Sequence, residues 1–553
     1  MATTPASNPL AELRAAVIGA TAGFEGDPGE SLSLERPPKP ELGDYSTNAA
    51  MLLAPAAAAP PREVAERLRS ELERILGPSA ERIEVAGPGF LNVFLSDSWH
   101  RGATAALLAA GERLGASDAE APERVLVEFV SANPTGPVTA ASGRGAAYGD
   151  SIARVIERCG HSVEREYYLN DAGTQVELFA ASVAARMRGE QPPDEGYAGA
   201  YVGELADELA AAGTGSEDLA ALARLATDAL QVRIQSTLER FGVSYDTWSS
   251  ERTLRESGAV EHALEELRSR GHVYDSEGAV WLRTTDFGDD KDRVLIRADG
   301  EPTYFAPDIA YHLDKIERGH DRLINVLGAD HPGYVARLRA ALAALGIDSD
   351  RFEAAIMQLV SVVEGGERRQ MGKRSGDFVT LDELIDDIGV DATRFFMLQR
   401  SHDSPIDIDL ELARSTSQEN PVYYVQYAHA RVASILRKAS DEGVAGSEAE
   451  IEAIADQDAG LAAAAEPAER ALVRRLLELA GEVSVAAERR APHRLCAYAT
   501  ATAADFHAFY RDCRVVGAEE PGAEAARLAL CVATKRTIAT TLGLLGVSAP
   551  ERM

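Results

Sequence analysis

Hydrophobic and polar positions alternate in different ways along the chain and divide it into four regions. Residues 1–97 begin with the pattern of an amphipathic helix and end in a strand-like run, IEVAGPGFLNVFLS, which has a period of two on either side of a Gly-Pro-Gly turn. We predict that this region mixes helices and strands in a domain of its own. A linker is predicted over 98–123, because its last part, GASDAEAPE, is small, acidic and polar.

The third region, about 124–404, carries the strongest strand patterns. VLVEFV (125–130) is an apolar run typical of a buried parallel strand, and a turn of small residues, SANPTGP, leads from it into a helical pattern. Strand, small-residue turn and helix in that order open a nucleotide-binding α/β unit. The runs VLIRADG, INVLGAD and IMQLVSVV predict further strands, whereas 175–285, rich in Ala, Leu and Glu, predicts a mostly helical insertion.

The last region, about 405–553, has no strand patterns and is filled by long amphipathic runs such as EPAERALVRRLLELAGEVSVAAERR. Helices of this kind bury their apolar faces against one another, so we predict an α-helical bundle. No stretch approaches the ~20 uncharged apolar residues of a membrane span. The N-terminus lacks the basic flank and the apolar run of a secretory signal.

Composition adds two constraints on function. The formal net charge is −32, which taken alone argues against a nucleic-acid partner, because RNA binding needs cations near phosphates. A local basic face would suffice, and a solubilising acidic surface is the simpler alternative. The four cysteines never form a Cys-x-x-Cys pair, which argues against a zinc site and a disulfide framework. We therefore expect no protein-bound metal and a reducing cytoplasm.

Three segments carry groups suited to binding phosphates or cations. The turn in VEFVSANPTGP (127–137) lets a phosphate approach the backbone at a helix N-terminus, although an ordinary strand–helix turn is the simpler interpretation. Lys373 and Arg374 lie in a glycine-rich loop and could neutralise a triphosphate, unless the loop is merely a solvated basic surface. Tyr304 and Asp308 would share one face of a helix. The carboxylate there could bind a cation, or be a surface group beside a core tyrosine.

Together these segments resemble the arginyl-tRNA synthetase family, in that family's own order. The resemblance extends over essentially the whole chain and includes GDYSTN, SANPTGP, YYLNDAGTQVE, PTYFAPDIAYH, LGADHPGYVARLRAAL, GKRSGDFVTLDEL, ENPVYYVQYAHAR and GLLGVSAPERM. So many blocks in order are far more specific than any one of them. The resemblance implies a Rossmann-type class I catalytic domain between an α+β tRNA-contacting domain (1–97) and an all-α anticodon-binding bundle (405–553).

The resemblance also implies a reaction and its reactants. Arginine is activated by ATP to arginyl-adenylate and transferred to the 3′ end of tRNA(Arg), with Mg²⁺ accompanying the ATP. A monomer is the family expectation. The residues implied to bind arginine are Glu128 and Asp308 through their carboxylates, Asn133 and Tyr304 by orienting the substrate, and Asp330 and His331 on the substrate or adenosine side.

The chain departs from the family pattern at both signatures that contact ATP. The first normally continues as His-x-Gly-His, whereas here Val138 is followed by Thr-Ala-Ala-Ser (139–142), so the implied phosphate donors are hydroxyl groups. The second, normally Lys-Met-Ser-Lys, is Gln-Met-Gly-Lys (370–373). The residues implied to bind ATP are Ala132, Pro134, Thr135, Gly136, Val138, Thr139, Ala141, Ser142, Met371, Gly372 and Lys373. The catalytic residues implied are Thr139, Ser142, Lys373 and Arg374.

Two interpretations of this departure stay open. The enzyme is active and Thr139 and Ser142 replace the histidines, or the chain is a catalytically impaired paralogue that binds tRNA or arginine without charging. The retained pocket residues favour the first interpretation, because random decay would also have damaged them.

Contacts with tRNA are expected in both outer domains. The resemblance points to Asn48 and Phe90 in the N-terminal domain. In the bundle, aromatic side chains could stack on splayed anticodon bases or belong to the core; the residues implied are Tyr423, Tyr427, Arg431 and Tyr510. A basic face could be formed by Arg470, Arg474, Arg475, Arg489, Arg490 and Arg494.

Overall fold

The computed structural model describes residues 8–329, 332–368, 379–444, 447–456 and 466–553. The strands within them are β1 Leu34–Glu35, β2 Tyr45–Thr47, β3 Ala80–Ala86, β4 Phe90–Leu95, β5 Arg124–Glu128, β6 Ser162–Leu169, β7 Thr247–Ser250, β8 Val273–Ser276, β9 Ala279–Leu282, β10 Arg293–Ile296, β11 Arg322–Gly328, β12 Phe352–Met357, β13 Val360–Glu364, β14 Glu367–Arg368 and β15 Ile406–Asp409. The helices are α1 Pro9–Thr21, α2 Ala49–Leu53, α3 Pro61–Leu76, α4 Asp97–Ala109, α5 Ala140–Arg158, α6 Thr174–Met187, α7 Ala200–Ala211, α8 Leu219–Arg240, α9 Glu251–Glu256, α10 Ala259–Ser269, α11 Phe305–Glu317, α12 Pro332–Ala344, α13 Leu381–Leu398, α14 Leu410–Arg414, α15 Pro421–Asp441, α16 Glu448–Asp456, α17 Pro467–Leu477, α18 Leu479–Glu488, α19 His493–Asp512 and α20 Ala523–Leu544.

The central sheet is parallel throughout, in the order β12-β11-β5-β6-β7. The apolar residues of β5 are fully buried, as expected for a strand covered on both faces. From β5 the chain adds β6 and β7 on one side and later β11 and β12 on the other. The strand order therefore reverses between β5 and β11, and ligands of such sheets bind at the carboxyl edge beside this point. The predicted Rossmann-type fold is confirmed.

The outer domains also have the predicted classes. The N-terminal domain packs α1–α3 on an antiparallel sheet of order β1-β2-β4-β3. Helices α15–α20 pack on one another in the C-terminal bundle. None of the helices described is both long and apolar enough to cross a membrane.

The structure differs from the sequence prediction at the domain borders. The predicted linker, 98–123, contains most of α4, which packs against α17 and α20 of the bundle. The predicted helical insertion, 175–285, includes β7, the edge strand of the central sheet, and β8 and β9 of a small antiparallel sheet that also holds β10. Beyond residue 404, β15 pairs in parallel with β13, so strand structure extends into the region predicted to be all helical.

Each of these differences has a local cause. Strand β7 has the sequence TWSS and is only half-buried, so no apolar run marks it. Strand β15, IDID, alternates buried isoleucines with exposed aspartates, but four residues are too few for the period to stand out. Helix α4 begins where the hydroxyl group of Ser96 accepts a hydrogen bond from the N–H of Trp99, at 3.3 Å.

Helix α5 lies unusually close to β5. A Cβ atom added at Gly149 would lie 2.2 Å from Cγ of Phe129, a side chain that is itself fully buried. Only glycine fits at this crossing, and the close approach brings the N-terminus of α5 to the carboxyl edge of the sheet.

A buried guanidinium group joins four parts of the chain. Arg394 of α13 forms an ion pair with Asp150 of α5, and both side chains are almost inaccessible to solvent. The same guanidinium donates to the carbonyl oxygens of Leu545, at 2.9 Å, and Phe241, at 3.1 Å. It thereby links α5 and α13 to the end of the insertion helix α8 and to the turn that follows α20.

Ion pairs also join the N-terminal domain to the bundle. Asp44, which precedes β2, pairs with Arg474 of α17, and both are nearly buried. Arg36 adds weaker pairs with Glu478 and Asp505, at 3.5 and 3.7 Å. Buried pairs of this kind fix the orientation of two surfaces more than they stabilise them.

The contact between α5 and β5 generates a stability prediction. Gly149→Ala should lower the free energy of unfolding by about 1–3 kcal/mol, because the added methyl group overlaps Phe129. Gly481→Ala in α18 is the matched control, since a Cβ there meets no atom within 4 Å; it should be neutral or stabilising by up to about 1 kcal/mol. Urea denaturation of both variants measures the difference. Equal stabilities would contradict the close approach.

Candidate active site

A cavity of about 560 Å³ opens at the carboxyl edge of the central sheet, beside the point where the strand order reverses. It is bounded by the ends of β5, β6 and β11 and by the first turns of α9, α11 and α12. Three of the carboxylates that line it are Glu128, Glu251 and Asp308, and the tyrosines include Tyr168, Tyr304 and Tyr334. An acidic cavity of this size and position suits a small organic cation.

Glu128 is paired with a lysine from the same wall of the cavity. Nζ of Lys315, a fully buried group on α11, lies 2.5 Å from Oε2 of Glu128. It also lies 3.4 Å from Oδ1 of Asn325 and 4.0 Å from the centre of the Tyr311 ring. Lys315 is thus the charge partner that a buried carboxylate such as Glu128 requires.

Asp308 is the carboxyl group with the most perturbed titration. Burial, and next the negative charge of Glu251, raise its pKa to about 8, against a hydrogen bond from Tyr334 that favours the charged form. Glu251, whose pKa is also raised by burial, forms an ion pair with Arg255 at 2.5 Å. A cation entering between Asp308 and Glu251 would remove the repulsion between them and draw Asp308 into its ionised form.

The floor of the cavity is a neutral polar network. Burial, and next the charge of Lys315, lower the pKa of His312 well below its usual range. The uncharged ring lies 2.7 Å from the backbone oxygen of Asp308 through Nδ1 and 2.9 Å from Nδ2 of Asn325 through Nε2. With Nδ1 protonated, His312 accepts from the amide of Asn325 and leaves the amide oxygen facing Lys315.

Tyr304 lies at the rim of the cavity and is 61% exposed. Its hydroxyl group accepts a hydrogen bond from Arg337 of α12, whose guanidinium also lies 5.9 Å from the centre of the ring. Tyr304 and Asp308 line the same cavity, as their spacing predicts.

A second, smaller cavity of about 30 Å³ lies next to the first, and Val130 lines both. The sequence-predicted residues that line it are Ala132, Asn133, Thr135, Gly136, Val138 and Ser142. Pro134 lies in the same turn, and Ala141 is exposed at the start of α5. Tyr201 of the insertion donates a hydrogen bond to the backbone oxygen of Thr135, at 2.8 Å, which fixes the turn.

Thr139 and Ser142 hydrogen-bond to each other at the N-terminus of α5. Oγ1 of Thr139 caps the helix by accepting the N–H of Ser142, at 3.2 Å, and the two hydroxyl oxygens are 3.1 Å apart. One hydroxyl proton is therefore used within the pair, which leaves one for a ligand. Backbone hydrogen bonds join the same segment to the start of α13, from Ala140 to Val379 and from Leu381 to Val138.

Six of the sequence-predicted site residues lie outside the described residues. They are Asp330, His331, Met371, Gly372, Lys373 and Arg374. Their assignments remain predictions.

The predicted anticodon-contacting side chains form one cluster between α15 and α19. The rings of Tyr423 and Tyr427 stack with centroids 6.0 Å apart. The guanidinium of Arg431 lies 4.9 Å from the ring centre of Tyr427 and 5.0 Å from that of Tyr510, which is 40% exposed. Stacked aromatic rings with an adjacent arginine form a platform on which nucleic acid bases can stack.

The proposed basic face is not formed by most of the arginines that suggested it. Arg470, Arg474 and Arg475 pair with acidic side chains, the first two across the border with the N-terminal part of the chain. Arg490 pairs with Glu353 of β12, and Arg494 with Glu482. These charges neutralise internal carboxylates.

The two residues predicted to contact tRNA in the N-terminal domain differ in their surroundings. The amide of Asn48 is used within the domain, since it accepts from the N–H of Ser33 at 2.8 Å and donates to the backbone oxygen of Ser31 at 3.0 Å. Phe90 is 38% exposed on β4 and available to a partner.

Sequence reasoning missed Glu251, Lys315, Tyr168 and Asn325. Glu251 follows β7, which has no apolar pattern, so nothing marked it as the end of a central strand. Lys315 lies seven residues after Asp308 on the same helix, and that spacing was the available signal. Tyr168 belongs to the block YYLNDAGTQVE, and the register of β6 beside β5 is what brings it to the cavity.

Fold and site together define a class of protein. A parallel sheet with an acidic cavity at its switch point, a helix N-terminus beside it and a helical bundle after it are the features of a class I aminoacyl-tRNA synthetase. Residues 104–195 and 203–414 match the family description "tRNA synthetases class I (R), catalytic domain". Residues 11–95 match "Arginyl tRNA synthetase N terminal domain" and 425–553 match "DALR anticodon binding domain". The chain belongs to the arginyl-tRNA synthetase family.

Named relatives agree over nearly the full length. The chain is 45% identical to an arginine–tRNA ligase of Shouchella clausii, with 98% of each chain covered. It is 47% identical to one of Frankia alni, with 95% of each covered. Among solved structures, arginyl-tRNA synthetase of Thermus thermophilus superposes with a TM-score of 0.75 at 28% identity, covering 98% of this chain and 100% of that one.

If Asp308 binds the guanidinium of arginine, as the family resemblance implies, its raised pKa predicts that arginine binding depends on pH. Below about pH 8 the free site holds a proton on Asp308, which a bound guanidinium must displace. Affinity for arginine should therefore rise by up to about tenfold per pH unit between pH ~6 and ~8, and level off above that. Titration calorimetry at neutral pH in buffers of different ionisation enthalpy should detect release of a proton. Asp308→Asn should abolish the release, and an affinity that does not change over this range would contradict the assignment.

Proposed function

We propose that this chain is an arginine–tRNA ligase that binds the guanidinium group of arginine between Asp308 and Glu251 and the α-amino end near Glu128 and Asn133. The observation that carries the proposal is the convergence of three carboxylates on one cavity at the switch point of the sheet. A guanidinium has five donors in one plane, and carboxylates on two walls can accept them in pairs. Lysine has no such fork, so the same arrangement discriminates against it.

ATP is proposed to bind beside the smaller cavity, with its phosphates at the N-terminus of α5. The positive end of the α5 helix dipole would attract the phosphates, and one hydroxyl of the Thr139–Ser142 pair would donate a hydrogen bond to them. Lys373 and Arg374 would add positive charge from the segment that precedes α13. The Thr380 cap and the backbone bonds between 138–140 and 379–381 support this assignment, because they hold the first signature against the start of α13, the helix that follows Lys373 and Arg374 along the chain.

Mg²⁺ is proposed to arrive with the ATP. Among the described residues there is no group of three or more side chains suited to holding a metal ion. The phosphate oxygens themselves are ligands that Mg²⁺ prefers. The ion would neutralise charge on the departing pyrophosphate. A cytoplasmic location and a monomeric state are proposed from the family resemblance.

The alternative function, an impaired paralogue that binds without charging, has no support in the named relatives. They are arginine–tRNA ligases at 45–47% identity over nearly the whole chain. The intact carboxylate pocket also favours an active enzyme.

The decisive experiment is arginine-dependent ATP–pyrophosphate exchange, followed by aminoacylation, in the presence of tRNA(Arg). Exchange should occur and Asp308→Asn should abolish it. Ser142→Ala should slow exchange by about tenfold without changing arginine affinity, because Ser142 is the member of the pair that lines the smaller cavity and would donate to a phosphate, whereas the helix cap on Thr139 stays intact. Absence of exchange under all conditions would favour the binding-only alternative.

A separate prediction concerns the aromatic platform. Tyr510→Ala should raise the KM for tRNA by about tenfold or more, since stacking contributes about 1–3 kcal/mol per base, while ATP and arginine constants stay unchanged. Tyr274→Ala, which removes a half-buried ring of β8, outside the bundle, is the control. An unchanged KM for tRNA would exclude Tyr510 from the anticodon contact.

A further inference from the structure

We propose that the hydroxyl group of Tyr168 hydrogen-bonds to the arginine substrate and helps to select it. The inference rests on the arginine pocket proposed above and adds a residue to it. Tyr168 lies on β6, lines the same cavity as Glu128, Glu251 and Asp308, and is 4% exposed.

The hydroxyl group of Tyr168 makes no hydrogen bond within the described part of the chain. A buried polar group in this state is costly, because its lost hydration is not offset. Such groups call for an explanation, and a ligand that supplies the missing partner is the explanation that fits a group lining an acidic cavity.

The ring and the backbone of Tyr168 are each held in place. It stacks on the ring of Tyr311 with centroids 4.1 Å apart and an interplanar angle of 24°. The backbone N–H of Tyr168 donates to Oγ of Ser131, at 3.1 Å. Ser131 and its neighbour Val130 also line the cavity and have positive φ values of 31° and 70°, a strained conformation that the surrounding structure holds. The hydroxyl is therefore fixed in position before any ligand binds.

The charge state of Tyr168 determines what it can bind. Burial, and next the negative charges of Glu251, Asp308 and Glu128, raise its pKa above the usual range of a tyrosine, so the phenol stays protonated. A neutral phenol can accept an N–H from a cationic substrate while it donates its own proton to a carboxylate. It thus adds one acceptor to those that the carboxylates offer to the five donors of a guanidinium.

The chain offers a close control for the loss of such a hydroxyl group. Tyr45 in the N-terminal domain is also buried, and its hydroxyl likewise has no hydrogen-bond partner among the described residues. It belongs to the hydrophobic core of that domain and does not line the cavity.

The test compares Tyr168→Phe, Tyr45→Phe and Asp308→Asn in the full chain. Titration calorimetry with L-arginine should give a Kd about tenfold or more weaker for Tyr168→Phe and unchanged for Tyr45→Phe. The KM for ATP should not change in either. Without arginine, the Tm of Tyr168→Phe should equal or exceed that of the wild type, because a buried group without a partner has been removed.

The outcomes separate this inference from the proposed function. If Asp308→Asn weakens arginine binding but Tyr168→Phe stays within about twofold of the wild type, the role of Tyr168 is overturned and the pocket stands. If neither variant changes the Kd, the pocket itself is wrong and both fall. A lower Tm or failure to fold in Tyr168→Phe would mean that the hydroxyl serves the structure, which also overturns the inference.

Discussion

The buried ion pair between Asp150 and Arg394 is the interaction on which the arrangement of the catalytic domain depends most. It lies where α5 and α13 pack together. Helix α5 begins at the first signature expected to bind ATP, and α13 follows the second signature along the chain. The turn after α20 also packs closely against this pair. Gly546 in that turn has a φ of +66°, and a Cβ there would lie 2.2 Å from the guanidinium of Arg394. Removing one partner of such a pair leaves an uncompensated charge in the core, a cost of about 3–5 kcal/mol.

The same ion pair also connects the catalytic domain to the last residues of the C-terminal bundle. Through the carbonyl of Leu545 the guanidinium holds the turn after α20, and residues beyond it return to α13 and α15. Ser548 donates its backbone N–H to Asp391 at 2.9 Å, and the ring of His429 lies 2.8 Å from the backbone oxygen of Pro550. The last residues of the bundle are therefore built into the catalytic domain.

The ion-pair partners of the arginines explain how the acidic composition fits the structure. The chain has 88 acidic and 56 basic residues, and arginines that sequence reasoning assigned to an RNA-binding face are used at domain borders instead. Arg474 neutralises Asp44, and Arg490 joins the bundle to Glu353 at the edge of the central sheet. Between α15 and α19 the bundle presents stacked aromatic rings together with the guanidinium of Arg431. Contact with bases through stacking is less dependent on net charge than contact with phosphates.

The sequence alone was sufficient for elements with long patterns and insufficient for those that depend on packing between distant segments. The buried strand β5 and the neighbouring residues Tyr304 and Asp308 follow from apolar runs and helical spacing. Glu251 could not be found this way, because β7 is a short polar edge strand whose place in the sheet is set by β6. The arginines of the bundle were assigned to a basic face for a related reason. Helical spacing shows on which face of a helix a charged side chain lies, but only the tertiary structure shows which residue it pairs with.

The electrostatics of the cavity explain how three carboxylates can share it before a substrate arrives. The negative charge of each carboxylate is offset in a different way. Glu128 pairs with the buried ammonium of Lys315, Glu251 pairs with the guanidinium of Arg255, and Asp308 keeps its proton near neutral pH. Glu128 and Glu251 are thus each paired with a cation, and below about pH 8 Asp308 keeps its proton instead of adding a third negative charge. A guanidinium can exchange for the proton on Asp308, whereas a neutral side chain of the same length cannot. In the proposed pocket, selectivity for a cation would follow from this exchange, and selectivity for a planar cation from the positions of the acceptors around it.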